Sequence, residues 1–211
     1  MMKSCKEKYT DHKSCMHKHF FNQRAEQWDT LTKHDTTKIE YILSLLELKG
    51  SEKILDVGTG TGILIPFYLK YLPSGTITAC DFSEKMIDVA LSKFPTQTYP
   101  QIKLIISDVY DITYSSMFDI VMCYCCFPHF RDKALALSIL KKTLKHSGRL
   151  VIAHSNSREE INTVHMQSGD EISQDMLPSL CVLKKIINDV GLKVIFERDD
   201  KDFFILIAKK E

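Results

Sequence analysis

The chain has 211 residues, 44% hydrophobic and 26% charged, a balance that suits one globular domain with an ordinary core and excludes a disordered polyelectrolyte. Its net charge of +1 gives no footprint for sequence-independent nucleic-acid binding, and no apolar run reaches the ~18 residues needed to span a membrane. Seven cysteines, with no apolar secretory core in Met1 to Thr10, lead us to expect reduced thiols in a cytoplasmic protein.

Met1 to His19 is polar, rich in Lys, His and Cys, and without apolar period, so it reads as a flexible tail ahead of a single domain over 20–211. Cys15-x-His17-x-His19, with Cys5 and His12 nearby, has metal-binding composition but lacks paired C-x-x-C spacing, so metal binding stays open. A helix is expected over Thr36 to Leu48, with Ile39, Ile42, Leu43 and Leu46 on one face and Gly50 as the stop.

The strand Ile54 to Val57 then runs into Gly58-Thr59-Gly60-Thr61-Gly62, and a helix over 62–71 follows. Glycine lets the backbone turn sharply and a ligand lie against the main chain, while the helix start offers free N–H groups. Such a loop binds a nucleoside-containing cofactor. The NAD fingerprint needs G-x-G-x-x-G, and its third glycine slot falls here on Ile63.

A second strand, Thr76 to Cys80, ends at Asp81, an acid suited to a ribose diol at about 1.5–3 kcal/mol per hydrogen bond. Ser83 reads as the N-cap of the next helix. A third run, Ile102 to Ile106, leads to Asp108, placed for an exocyclic amine such as that of adenine, with Val109 against the ring. A fourth, Phe118 to Met122, enters Cys123-Tyr124-Cys125-Cys126-Phe127-Pro128-His129-Phe130.

Helices are expected over 131–145 and 178–190, and the strands Val194–Arg198 and Phe203–Ala208 are too close for anything but a hairpin. Ser155 to Leu177 is an insertion whose Ser157-capped helix sets Arg158, Asn162 and His165 within about 60° of one another, with Ile161 and Val164 packing down. Ligands of open α/β sheets sit beyond the carboxyl ends of the strands, where His129 and His154 fall. His129, His154 and His165 are therefore candidates for a general base, an acceptor clamp or a metal site. Cys123, Cys125 and Cys126 read first as core thiols and second as captors of a soft metal or metalloid.

The order Asp56-x-Gly58-x-Gly60-x-Gly62, Asp81, Asp108 and Phe118-Asp119-Ile120-Val121 resembles the class I S-adenosylmethionine-dependent methyltransferases. Leu144 to Ile152 resembles their approach to the fifth strand, with His146-Ser147-Gly148 at the usual Pro-Gly-Gly. Phe20 to Asp29 is similar to the N-terminal helix of the ubiquinone/menaquinone-biosynthesis-like and type 11 members. The resemblance implies a doubly wound, Rossmann-like α/β fold: seven strands, mostly parallel with an antiparallel last strand, and helices on both faces. It implies S-adenosylmethionine as cofactor, S-adenosylhomocysteine as product, and a small-molecule methyl acceptor; the net charge and the lack of a long apolar run leave no nucleic-acid or membrane partner expected. The implied cofactor residues are Phe21, Arg24, Trp28, Gly58, Thr59, Gly60, Gly62, Asp81, Phe82, Met86, Asp108, Val109 and Tyr124. Two alternatives stand beside this reading: a cofactor- or metal-binding sensor or delivery module on the same fold, and methylation of a soft metal or metalloid.

Overall fold

Five aliphatic runs line up side by side as parallel strands: β1 (Lys53–Val57), β2 (Thr76–Asp81), β3 (Ile102–Ile106), β4 (Phe118–Tyr124) and β5 (Leu144–His154). The hairpin β6 (Lys193–Asp199) and β7 (Phe204–Lys209) closes the sheet, with β7 antiparallel to both neighbours in the order β3-β2-β1-β4-β5-β7-β6. The computed structural model describes residues 5–169 and 171–211.

Strand side chains alternate between faces, and each face is covered by helices. Leu55 and Val57 pack with α6 (Lys133–Thr143) and α8 (Leu180–Asp189) through Leu137, Leu140, Leu183 and Ile187. Ile54 packs on the other side with α3 (Thr36–Ser44, shorter than the expected helix to Leu48) and α4 (Ile65–Tyr71) through Ile39, Ile42 and Ile65, joined by Leu46 just beyond α3. Most caps follow the sequence: Ser83 accepts from Met86 N–H at the start of α5 (Glu84–Lys93), and Ser157 forms a reciprocal capping box with Glu160 on α7 (Arg158–Gln167). The helix expected to reach Lys145 stops at Thr143, because Leu144 already pairs with Phe118 as the first residue of β5. Ser147 takes a left-handed φ of 63° at the turn where the resemblance leads one to expect glycine.

The N-terminus differs most from expectation. Helix α1 (Cys5–Arg24) runs back through the stretch read as a flexible tail, and α2 (Trp28–Leu31) follows after one 3₁₀ turn. The stretch has no apolar period because neighbouring elements hold it instead. Phe20 and Phe21 are buried against Met86, Lys18 Nζ lies 2.6 Å from Glu84, and Ser83 Oγ donates to Asn22 Oδ1 at 2.6 Å. His17 is only 5% exposed. The Cys5 and His12 side chains of the metal-like pattern lie outside the described residues.

Leu140 is fully buried between α6 and the sheet, so Leu140→Ala should destabilise the fold by about 2–5 kcal/mol, measured by urea unfolding with an unchanged m value.

Candidate active site

A cavity of about 620 Å³ opens beyond the carboxyl ends of the strands, where the order reverses between β2-β1 and β1-β4. At its floor the glycine loop bends through three left-handed residues, with φ of 67° at Gly58, 55° at Gly60 and 85° at Gly62. A Cβ on Gly58 would stand 2.5 Å from Cys126 Cβ, so the crossing of this loop with the end of β4 admits no side chain. Gly62 does not line the cavity: a Cβ there would stand 2.9 Å from Ile65 Cδ1 and 3.0 Å from Phe94 Cε2, which makes it a packing glycine beneath α4. Asp56, buried behind the loop, accepts from Thr59 Oγ1 at 2.7 Å, and burial pushes its carboxyl up to about 7.

Asp81 sits at the tip of β2 and ties the loop to the next helix. Its Oδ2 accepts from Gly60 N–H and its Oδ1 from Ser83 N–H, both at 2.9 Å. Burial pushes the carboxyl up to about 6 against the downward pull of those amides. Asp108, at the end of β3, is shared: Arg131 Nη1 donates to its Oδ2 at 3.0 Å, and the guanidinium stacks 4.0 Å over the Tyr110 ring. Arg131 had read as an ordinary first helical residue, but it precedes the Asp132 N-cap of α6 and turns back over the cavity.

The roof comes from the N-terminus. The Phe21 ring meets Trp28, Phe82 and His129 edge-on, at centroid distances of 5.5, 5.6 and 5.1 Å. Trp28 Nε1 lies over Gly60, 3.8 Å from where its Cβ would be. Arg24 stacks 3.7 Å over Phe20 and donates to the Phe20 carbonyl. Asp29 bonds both Thr61 of the loop and Lys93 of α5, a clasp that nothing in the local pattern signals. Tyr124 lines the wall, held by His34 Nδ1 at 3.1 Å and by donation to Ser155 Oγ at 2.9 Å. Phe82, Met86, Val109 and Thr59 also line the cavity.

His129, His154 and His165 all reach the same cavity. His129 and His165 stand 4.9 Å apart between ring centroids. His165 Nδ1 donates to the Asp175 carbonyl, and His129 Nδ1 lies 2.8 Å from Asp175 Oδ2. Burial pulls the His129 imidazole below its ordinary range, with Asp175 opposing. His154, at the end of β5, is 2% exposed, its Nε2 has no hydrogen-bond partner among the described residues, and burial pulls its imidazole down to about 3. His17, read as part of the tail, also lines the cavity.

The α7 face turns about one position away from the expected stripe. Ile161, Val164 and His165 line the cavity, and Val164 stays 58% exposed at its mouth. Asn162 instead pins Leu177 through both main-chain groups, and Arg158 pairs outward with Asp199. Of the cysteines, Cys123 and Cys126 are buried, Cys126 Sγ donates to the Val57 carbonyl at 3.0 Å, and burial pushes the Cys125 thiol up to about 12. Protonated thiols of this kind behave as small hydrophobes. Among the described residues no group of three or more His, Cys, Asp or Glu is arranged to hold a metal ion.

A family model described as a methyltransferase domain matches residues 48–196. The chain belongs to this methyltransferase-domain family. Its cofactor is S-adenosylmethionine, and the family match covers the glycine loop, Asp81 and Asp108. The chain is 29% identical over 138 residues to the demethylmenaquinone methyltransferase of Thermotoga maritima, covering 63% of this chain and 58% of that one. It is 27% identical over 136 residues to the malonyl-[acyl-carrier protein] O-methyltransferase of Priestia megaterium, covering 63% and 48%. The chain thus spans about half the length of these curated relatives. Among solved structures, a SAM-dependent methyltransferase from Aquifex aeolicus shares the fold at a TM-score of 0.71 and 21% identity, covering 90% of this chain and 98% of that one. Among the described residues no helix is long and apolar enough to cross a membrane.

The depressed His154 pKa has a sign that can be tested. The imidazole is neutral in the fold down to about 3 but protonates near 6.5 when unfolded, so its contribution is present above 6.5 and lost as pH falls toward 3. His154→Gln should therefore lose less stability than wild type between pH 7.5 and pH 5, by about 2 kcal/mol in paired urea titrations.

Proposed function

We propose that this protein transfers the methyl group of S-adenosylmethionine to a small-molecule acceptor enclosed between the glycine loop, α1 and α7. One observation carries the reading: a single cavity of about 620 Å³ is lined both by the cofactor residues and by His129, His154 and His165. That size is ordinary for small-ligand sites, roughly 300–1,000 Å³.

The residues present fit the cofactor. Gly58, Thr59 and Gly60 offer close backbone approach, Asp81 two carboxylate oxygens for the ribose hydroxyls, and Asp108 an acceptor for the adenine amine. Phe82, Met86 and Val109 pack the ring, while Phe21, Arg24, Trp28 and Tyr124 close the site. When bound, the cofactor supplies an electrophilic methyl on a sulfonium, whose departure leaves a neutral thioether. The protein's own task is to align the acceptor, exclude water and receive a proton. His129, whose imidazole burial pulls below its ordinary range, is the group we assign to receive it; His154 Nε2, buried and without a hydrogen-bond partner among the described residues, is the polar contact we assign to the acceptor. His165 braces the insertion.

The relatives, a demethylmenaquinone methyltransferase and a malonyl-[acyl-carrier protein] O-methyltransferase, support an acceptor that is a small molecule or a carrier-linked acyl group. We read 20–211 as one domain with an insertion at about 155–177, acting in a cytoplasmic setting without nucleic acid.

Calorimetric titration with S-adenosylhomocysteine tests the cofactor half. Wild type should bind, and Asp81→Ala should weaken binding tenfold or more, about 1.4 kcal/mol. Equal affinity in the two proteins would remove Asp81 from the site, and no binding by wild type would remove the methyl-transfer reading.

A further inference from the structure

Asp175 carries no sequence signal, yet it is a carboxylate only 3% exposed, set behind the cavity-lining His129. Its Oδ2 lies 2.8 Å from His129 Nδ1, and His17 Nε2, from α1, stands 3.2 Å from the same oxygen. The backbone around it is fixed on both sides. Asp175 N–H donates to the Ile172 carbonyl at 2.9 Å, and Ile172 is buried with Phe20, Phe21 and Met86. Two residues on, Leu177 is held at N–H and C=O by the Asn162 side chain, while His165 Nδ1 binds the carbonyl of Asp175 itself. A loop pinned at so many points delivers its carboxylate to one place.

We propose that Asp175 is a positioning residue for methyl transfer: its carboxylate fixes His129 as the tautomer protonated at Nδ1, so that Nε2 presents a lone pair to the acceptor. The inference rests on the reading of His129 as proton acceptor given above. A carboxylate only accepts hydrogen bonds, so Nδ1 must hold the proton in this contact, and the ring's remaining nitrogen serves the cavity it lines. The acceptor's proton passes to Nε2 as its new bond to the methyl forms. The resulting imidazolium then faces the Asp175 carboxylate, and the charge created in a buried site is paired where it arises. His17 brings a second imidazole to that carboxylate from the N-terminal helix. The acceptor end of the site is therefore built from three separate parts of the chain, α1, the turn after β4 and the insertion.

The test reads the tautomer directly and needs no acceptor. Full-length protein labelled with ¹⁵N-histidine and saturated with S-adenosylhomocysteine is examined at pH 8 by long-range ¹H–¹⁵N correlation, with His129→Gln to assign the ring. The expected result is a protonated Nδ1 and an unprotonated Nε2 at His129 in wild type, and loss of that preference in Asp175→Asn. A wild-type ring protonated at Nε2 overturns the proposal, whether or not the variant folds. An unchanged tautomer in folded Asp175→Asn also overturns it, because a purely structural role would leave the ring signals in place. The cofactor titration separates the two failures. If wild type binds S-adenosylhomocysteine while the tautomer is wrong, only the role of Asp175 falls; if nothing binds, the methyl-transfer reading falls first.

Discussion

The site depends on one buried carboxylate. Asp81 ends β2, an interior strand one place from the sheet edge, and reaches sideways to the Gly60 amide and forward to the Ser83 amide. It therefore joins β1's loop, β2 and the start of α5 into one rigid corner. Burying an ionisable group there is costly, as its raised pKa records, and the two amides offset only part of that cost. A ligand diol that donates to Asp81 would supply the hydrogen bonds that lost water once gave. Active sites are where such unfavourable burial is tolerated.

Around that corner the fold divides its labour by layer. The two helical layers bury the sheet and determine where strand ends fall, and the reversal at β1 leaves a crevice that the glycine loop floors. Nothing in that arrangement covers the crevice. The cover is made by segments outside the sheet, α1 with α2 on one side and α7 with its following loop on the other. They meet where Ile172 packs with Phe20 and Phe21, and through Asp175, which accepts from His129 in the turn after β4 and stands beside His17 of α1. The enclosing parts are thus polar in their joints and apolar in their walls, which suits a chamber that must exclude water and still handle one proton.

Local pattern was a sound guide wherever a residue's role follows from its own backbone. Short apolar runs marked the strands to within a few residues, Ser83 and Ser157 capped the helices that they precede, and four linking residues required a hairpin. It was a poor guide where a role depends on a distant partner. His17 looked like part of a polar tail because the residues that bury it lie far along the chain. Asn162 and Val164 exchanged the expected inward and outward roles because the loop after α7 folds back and gives Asn162 two main-chain groups to satisfy. Gly62 belongs with its neighbours by spacing, yet it serves the packing of α4 on Phe94.

By itself the sequence determined the order of strands and helices, the glycine turn, and the acids that end β2 and β3, because each is encoded by residues adjacent along the chain. Periodicity and turn chemistry are local, so they can be read without coordinates. Only the tertiary structure decided which polar side chains meet. It gathered His17, His129, His165 and Asp175 from positions spread across the chain, left His154 Nε2 buried without a partner among the described residues, and turned Arg131 onto Asp108. Such meetings depend on how packed layers set distant loops side by side, and no spacing within one segment encodes that.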